Sequence, residues 1–219
     1  LSYNVHHGEG TDGRIDLARL AGVIRAAEPD LVALQEVDRL ARRTGAVDQP
    51  AEYERLTGLH GWFGAAMPFQ GGHYGQMLLS RWPLHEPRVV RLPGTPGREP
   101  RIAITAHVET PGLGRLRIAG VHLDAGREDD DRWQQAEALL EAFRQSREPL
   151  LVAGDFNARP DSRVMRRLLD PATGWCELTT AGAPASRIDY ILGAPCAAWE
   201  VEESRFLPQG VASDHPPVL

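Results

Sequence analysis

A carboxylate and a carboxamide stand two residues apart in Gly154-Asp155-Phe156-Asn157, directly after the apolar run Leu150-Leu151-Val152-Ala153. That run reads as a short buried strand. If the chain stays extended through the motif, side chains i and i+2 share a face, so Asp155 and Asn157 point together into one cleft. An acceptor beside a donor can orient a water and hold the anionic oxygens of the group it attacks. The chain has only two asparagines, and the other, Asn4 in Tyr3-Asn4-Val5, also lies in an apparent strand.

More polar groups end or interrupt apolar strands: Glu36 after Leu31 to Gln35, His122 in Val121-His122-Leu123, Asp189 in Ile188-Asp189-Tyr190, and Asp214-His215. Each alone has an ordinary explanation. Asn4 suits a turn, Glu36 a solvated loop, His122 a satisfied core histidine, and Ser213-Asp214 a cap before the prolines. Asp189 resists such a reading, because a carboxylate between Ile188 and Tyr190 needs a partner once buried. Taken together, carboxylate and amide oxygens with few sulfurs suit a hard cation such as Mg²⁺ or Mn²⁺. Such a metal polarises a phosphoryl oxygen, amide and imidazole donors stabilise the charge that develops, and an Asp–His pair supplies an oriented imidazole. These are the parts of a phosphoester hydrolase. Zinc fits less well, since adjacent His6 and His7 point to opposite faces of a strand and no HExxH is present. A serine hydrolase fits poorly: there is no GxSxG, and the consecutive Ser213, Asp214 and His215 cannot form a triad among themselves.

The elements that must position these groups are legible in outline. Asp16 caps a predicted helix with Leu17, Leu20, Ala21 and Ile24 on one face, ended by Glu28-Pro29. A second helix is expected over Ala51 to Thr57, stopped by Gly58. Trp133, Ala136, Leu140 and Phe143 form one helical stripe, and a shorter helix is expected near Ser162 to Leu169. Leu31–Leu34, Met77–Leu79, Leu150–Ala153 and Ile188–Leu192 read as core strands. Arg101–Glu109 and Arg115–Leu123 flank Pro111-Gly112-Leu113-Gly114 as a hairpin, and Pro216-Pro217-Val218-Leu219 begins a last strand. Pro93 to Pro100 is the clearest surface loop. Helices alternating with strands early and hairpins in the middle predict a mixed-sheet α/β architecture.

Composition bounds the partners. The 219 residues, 42% hydrophobic and 25% charged, suit one globular domain over residues 1–219. No apolar run approaches the roughly 18 residues of a membrane span. All 24 basic residues are arginine, which fits a GC-rich bacterial genome and removes Schiff-base and P-loop lysine chemistry. The net charge of −6 argues against tracking a long nucleic-acid backbone, for which phosphate contacts supply most of the affinity. Arginines cluster at 39, 42 and 43, next to a candidate site strand, and at 163, 166 and 167, where a solvated helix face is the plainer reading. Trp62, Trp82 and Tyr74 are candidates to line a substrate pocket. Cys176 and Cys196 make no CxxC and no zinc spacing, and so carry little information on redox compartment. Leu1 and Leu219 fall inside apparent strands, so both ends read as trimmed. A cytoplasmic location is slightly favoured, with a signal peptide upstream left open. No protein partner is evident.

The ordered set Tyr3-Asn4-Val5, Leu34-Gln35-Glu36-Val37, Val121-His122-Leu123, Gly154-Asp155-Phe156-Asn157, Arg187-Ile188-Asp189-Tyr190 and Ser213-Asp214-His215 resembles the endonuclease/exonuclease/phosphatase superfamily nearly end to end. The resemblance implies a four-layer α/β sandwich, two packed mixed β-sheets flanked by helices, with the site at one edge. Carried over by position, it implies Glu36 as principal metal ligand, helped by Asn4 and Asp214, for Mg²⁺ or Mn²⁺. It implies that Asp155 positions or deprotonates the attacking water, that Asn157 and His122 bind the scissile phosphate, and that Asp189 orients His215. Some members carry an acidic residue where this chain has His6, so a second metal is in doubt. Tyr74-Gly75-Gln76 resembles a segment bordering the pocket. The implied activity is metal-dependent hydrolysis of a phosphodiester or phosphomonoester in a small molecule, lipid headgroup or short nucleic acid. A DNA nuclease or repair endonuclease and a non-catalytic binding domain are the alternatives.

Overall fold

In the computed structural model, which describes residues 1–112, 114–179 and 183–219, the apolar alternation resolves into two sheets. β1 (Ser2–Asn4) is connected through α1 (Leu17–Ala26) to β2 (Leu31–Arg39), which lies parallel to it. After α2 (Gln49–Thr57) come β3 (His60–Phe69) and β4 (Gly72–Ser80), giving a sheet of order β1-β2-β4-β3. The second sheet is built from β5 (His85–Arg91), β6 (Ile102–Thr110), β7 (Gly114–His122), β8 (Leu150–Asp155), β9 (Cys176–Glu177) and β10 (Asp189–Ala194), ordered β5-β6-β7-β8-β10-β9. α3 (Asp130–Phe143) makes the crossover between the parallel β7 and β8, and α4 (Arg163–Leu168) follows β8.

The helix limits follow local chemistry. The Asp16 carboxylate accepts from the Arg19 N–H at the start of α1, and Asp48 caps α2 two residues earlier than the sequence predicts, with Gly58 ending it at φ +72°. Ser162 caps α4 in the same way. Arg163 pairs with Asp129 and Arg167 with Glu137, so this arginine cluster ties α4 to α3 and lies outside the site.

Three apolar layers separate four structural ones. Leu20, Ile24 and Tyr53 pack on Tyr3, Val32, Leu34 and Leu79 beneath α1 and α2. Ala33 and Leu78 meet Ile102, Ile104, Ile118, Ala153 and Ile191 between the sheets. Ala136, Leu139 and Val164 cover Val121, Val152 and Leu192 on the far side. This is the expected four-layer α/β sandwich with mixed sheets.

Four expectations are corrected or refined. Trp62 and Trp82 pack partly buried against the intersheet core, so of the three aromatics only Tyr74 reaches the site cavity. Cys176 and Cys196 form a disulfide that ties β9 to the turn after β10; a spacing without CxxC is silent about a pairing that only the sheet brings together. Val218 makes isolated bridges to Ser2 and Phe206 where a last strand was expected, because Pro216 and Pro217 lack the N–H groups a ladder needs. The β6–β7 hairpin forms, with Thr110 opposite Gly114, while Leu113 of its turn lies outside the described residues. No helix among those residues is long and apolar enough to cross a membrane.

Candidate active site

Strand parity places the polar groups. On β8, Leu150 and Val152 face the helices while Ala153 faces the other sheet. Asp155 shares Ala153's side of the pleat and therefore opens into the intersheet space at its edge. The same parity puts His122 with Ile118 on β7 and Asp189 with Ile191 on β10. In register, Asp155 stands opposite both His122 and Asp189, so three neighbouring strands present a row of polar groups to one edge. Gly154 is required before Asp155: a Cβ there would collide with the Val121 carbonyl across the parallel pairing.

The first sheet supplies the facing groups. Asn4 ends β1 on its inner face. Glu36 would otherwise share the outward parity of Val32 and Leu34, but the register of β2 against β4 shifts between Leu34 and Val37, and Glu36 takes φ +60°. This bulge turns the carboxylate toward the edge. The Asn4 amide donates to Glu36 at 3.0 Å and to Asp155 at 3.4 Å, joining the two sheets.

The C-terminal segment completes the cluster. Ser213 Oγ donates to the Asn4 carbonyl at 2.7 Å and accepts from the His215 N–H. His215 Nδ1 lies 2.8 Å from Asp189 Oδ2, and its Nε2 lies 3.9 Å from Asp155 Oδ2. His122 Nε2 stands 3.6 Å from the same Asp155 oxygen. Asp214 is exposed, with its Oδ1 3.3 Å from Ser213 Oγ, and does not line the cavity.

Asn157 reaches the site by a different route from the one predicted. β8 ends at Asp155 and Asn157 has φ +48°, so the two side chains do not share a strand face. The Asn157 N–H instead donates to Asp155 Oδ1 at 2.8 Å, folding the chain back. Its amide donates to the Leu123 carbonyl at 3.0 Å and still borders the cavity.

Burial, and then the charge of Asp189, pushes the Asp155 carboxyl up to about 7, against the opposing pull of His215, the Asn157 N–H and Asn4. Burial likewise raises Asp189, with the His215 hydrogen bond acting against it. Burial acts to lower His215, but its hydrogen bond to Asp189 and the nearby carboxylates prevail and carry it to about 9. His122 is held well below 6.5 by burial and by the charges of Arg101 and His215, and is a neutral ring. The cluster therefore holds one cationic imidazole and one neutral imidazole around a single carboxylate.

A cavity of about 370 Å³ opens over these groups, lined by Glu36, His122, Asp155, Asn157 and His215 together with Arg43, Met67, Phe69, Tyr74, Glu99, Arg101 and Ala125. Sequence reasoning missed Glu99, inside the Pro93 to Pro100 loop, and Arg101, just after it, because neither sits in a motif. Arg101 faces Glu99 at 2.8 Å. Arg43 forms a two-pronged pair with buried Asp38, at 2.7 and 2.8 Å, and stacks over Phe69. A groove of about 500 Å³ lined by Glu137, Arg167 and Trp175, among others, contains none of the site residues.

The sequence model described as the endonuclease/exonuclease/phosphatase family matches residues 1–215. The chain belongs to that family. Its members are generally hydrolases of phosphoester bonds that use a divalent metal. An endonuclease/exonuclease/phosphatase protein of Beutenbergia cavernae is 26% identical with a TM-score of 0.83, covering 99% of this chain and 69% of its own. Two further structures share the fold. A mannosyl-6-phosphatase of Bacteroides thetaiotaomicron has a TM-score of 0.78 at 18% identity, with 99% and 96% coverage. The catalytic domain of human Nocturnin, with a bound sulfate anion, has a TM-score of 0.72 at 21% identity, with 99% and 89% coverage. No curated protein matches by sequence.

Proposed function

We propose that this chain is a single catalytic domain that hydrolyses a compact phosphoester with the help of a divalent metal. The observation that carries the reading is the convergence on Asp155, whose Oδ2 has His122 at 3.6 Å, His215 at 3.9 Å and Asn4 at 3.4 Å, with Glu36 on the same cavity wall. A carboxylate surrounded by donors beside a second carboxylate fits water activation next to a cation.

The donor set fits a metal: Glu36 offers a half-buried carboxylate at the cavity, and Asn4 offers an amide oxygen that accepts only the His6 N–H. Glu36 would be the principal ligand, with Asn4 and, after a small movement of the exposed C-terminal turn, Asp214. The bound cation supplies charge neutralisation at a phosphoryl oxygen and at the leaving alkoxide.

Asp155 orients the attacking water and takes its proton, a role suited to a carboxyl held near 7. Cationic His215, fixed by Asp189, and neutral His122 donate to the phosphoryl oxygens as their charge grows. Asn157 uses one amide hydrogen on Leu123 and has a second for the phosphate.

Cavity size and charge support a small substrate. About 370 Å³ lies at the low end of small-molecule sites. Both cavity arginines already face acids, Arg43 with Asp38 and Arg101 with Glu99, which leaves little free positive charge for a polyanion. The disulfide favours an oxidising compartment, and so export over the cytoplasm. A panel of small phosphomonoesters, phosphodiesters, phospholipid headgroups and short oligonucleotides, screened with Mg²⁺ and Mn²⁺, tests the reading. Turnover of at least one class is expected, and inactivity on all would remove it.

A further inference from the structure

Two imidazoles sit beside Glu36 that the hydrolytic roles leave unused. The chain leaves β1 through a tight turn, His6–Gly8, in which His6, His7 and Gly8 take φ of 43°, 44° and 92°. Left-handed backbone is unfavourable for residues with a Cβ, and such positions gather at functional sites. On a strand, adjacent histidines would point to opposite faces. On this turn they converge, with ring centroids 4.4 Å apart. One ligand-type atom from each of His6, His7 and Glu36 lies within 4.8 Å of the other two.

The hydrogen bonds on the two rings select their open nitrogens. His6 Nδ1 lies 3.2 Å from the Glu9 carbonyl, which leaves its Nε2 free. His7 Nε2 lies 3.4 Å from the Glu9 carboxylate, which leaves Nδ1; that atom is buried with no hydrogen-bond partner. An imidazole bonded through one nitrogen to a carbonyl or carboxylate, with the other nitrogen open, is the arrangement that orients metal-bound histidines. An unpartnered buried ring nitrogen also costs stability unless something fills the gap. Two donors on one ion at about 2.0–2.2 Å can stand at most about 4.4 Å apart, so a small closure suffices. The nearby Arg43 is already matched by Asp38 and does not oppose a cation strongly.

We propose that His6, His7 and Glu36 form a mixed nitrogen–oxygen site that binds a divalent transition metal, of the Mn²⁺, Co²⁺ or Zn²⁺ class, in preference to Mg²⁺. Imidazole suits those ions, whereas Mg²⁺ prefers oxygen ligands and retained water. The inference rests on the hydrolase reading only in sharing Glu36, and it starts from a turn at His6-His7 where the sequence argument against zinc assumed a strand.

The test titrates metal-free protein by calorimetry with Co²⁺, Mn²⁺ and Mg²⁺ separately, and follows the visible absorption of the Co²⁺ form. Asparagine tolerates left-handed backbone better than most residues, so His6→Asn and His7→Asn keep the turn while exchanging nitrogen for oxygen. Co²⁺ is expected to bind at least about tenfold more tightly than Mg²⁺, and each substitution to weaken Co²⁺ by about tenfold and alter its spectrum. Mg²⁺ binding should change far less, while Glu36→Gln weakens every metal. Histidine NMR of the wild type supplies a readout free of any variant: diamagnetic Zn²⁺ should shift the ¹⁵N resonances of His6 Nε2 and His7 Nδ1, which a metal held by Glu36 without the imidazoles would not do. Co²⁺ affinity and spectrum unchanged in folded His6→Asn and His7→Asn, or those ring nitrogens unshifted by Zn²⁺, overturn the proposal, even if Mg²⁺-supported hydrolysis is found.

Discussion

Asp155 and Asp189 are direct cross-strand partners, the last residue of β8 opposite the first of β10, and both carboxylates are buried. Like charges directly opposite on neighbouring strands repel, and burial deepens the cost. His215 answers it, with Nδ1 on Asp189 at 2.8 Å and Nε2 toward Asp155 at 3.9 Å. The imidazolium is thus shared unequally between two carboxylates. The near one fixes the ring, and the far one keeps an open side toward the cavity. This division fits the proposed roles, with Asp189 positioning the ring and Asp155 available for chemistry.

Removing the Asp189 charge should therefore release the His215 proton. Folded His215 holds its proton up to about 9, against an ordinary 6.5, so its ion pair stabilises the fold fully below about 6.5 and loses that contribution as pH rises through 9. The wild type should exceed His215→Asn in metal-free stability by up to about 3 kcal/mol in mild acid, with the gap narrowing between pH 6.5 and 9. Asp189→Asn should move the imidazole titration seen by NMR down toward 6.5 while leaving metal affinity nearly unchanged. A gap that widens with pH, or a large loss of metal binding in Asp189→Asn, contradicts the assignment.

Much of this site was legible because polar residues interrupt otherwise apolar strands. Asp189 between Ile188 and Tyr190 demanded a partner before any geometry was known. The same alternation correctly assigns Asp155, His122 and Asn4 to the inner faces once the sheets are stacked. Backbone irregularity was illegible. Nothing in Leu34-Gln35-Glu36-Val37 announces a bulge, and His6-His7 looks like strand until the left-handed turn is seen. The edge strands β3 and β5 were missed, because Gly61, Gly64, Pro68 and Pro87 break their pattern and β5 is largely exposed. Arg43 was visible only as part of an arginine cluster beside a site strand, while Glu99 and Arg101, in and just after a loop, sit in no motif that marks them as cavity residues.

Metal dependence should run through Glu36. Its carboxylate is re-aimed by the β2 bulge into the cavity and receives the Asn4 amide at 3.0 Å. EDTA should abolish phosphoester turnover and added Mn²⁺ or Mg²⁺ restore it, while Glu36→Gln should weaken metal binding measured by calorimetry. Turnover undiminished after chelation and desalting would exclude the assignment.

Asp155, Asn157 and His215 should behave as one unit. The Asn157 side chain borders the cavity beside Asp155, whose Oδ2 faces His215 at 3.9 Å. Each alanine variant should lose about 10²-fold or more in kcat. Groups acting in one transition state are non-additive on removal, so Asp155→Ala/His215→Ala should be little worse than the poorer single variant. Fully multiplicative losses would show independent roles.

The disulfide should matter for stability rather than chemistry. It links Cys176 and Cys196 across 20 residues of sequence, on the sheet edge next to β10. Closing a loop of that length contributes about 3 kcal/mol in the chain-entropy account. Reduction, or Cys176→Ser/Cys196→Ser, should lower Tm by several degrees and leave kcat at 25 °C within about twofold. An equal Tm with and without reductant would mean that the cysteines are unpaired in solution.

The last prediction concerns substrate size. A duplex nuclease acting without sequence preference must neutralise several phosphates, and its affinity then falls steeply with salt. Here the net charge is −6, both arginines that line the cavity face acids, Arg43 with Asp38 and Arg101 with Glu99, and in the 39/42/43 cluster Arg39 pairs with Asp48. Only Arg42 adds to the patch without such a contact among the described residues. The chain should therefore hydrolyse a small chromogenic phosphodiester with a rate that changes little between low and near-physiological salt. Plasmid cleavage should be slow and confined to low salt. Efficient plasmid degradation at physiological salt would reverse the assignment and make long nucleic acid the substrate. Arg42→Ala should separate the two cases, leaving small-diester turnover intact while reducing any residual plasmid cleavage.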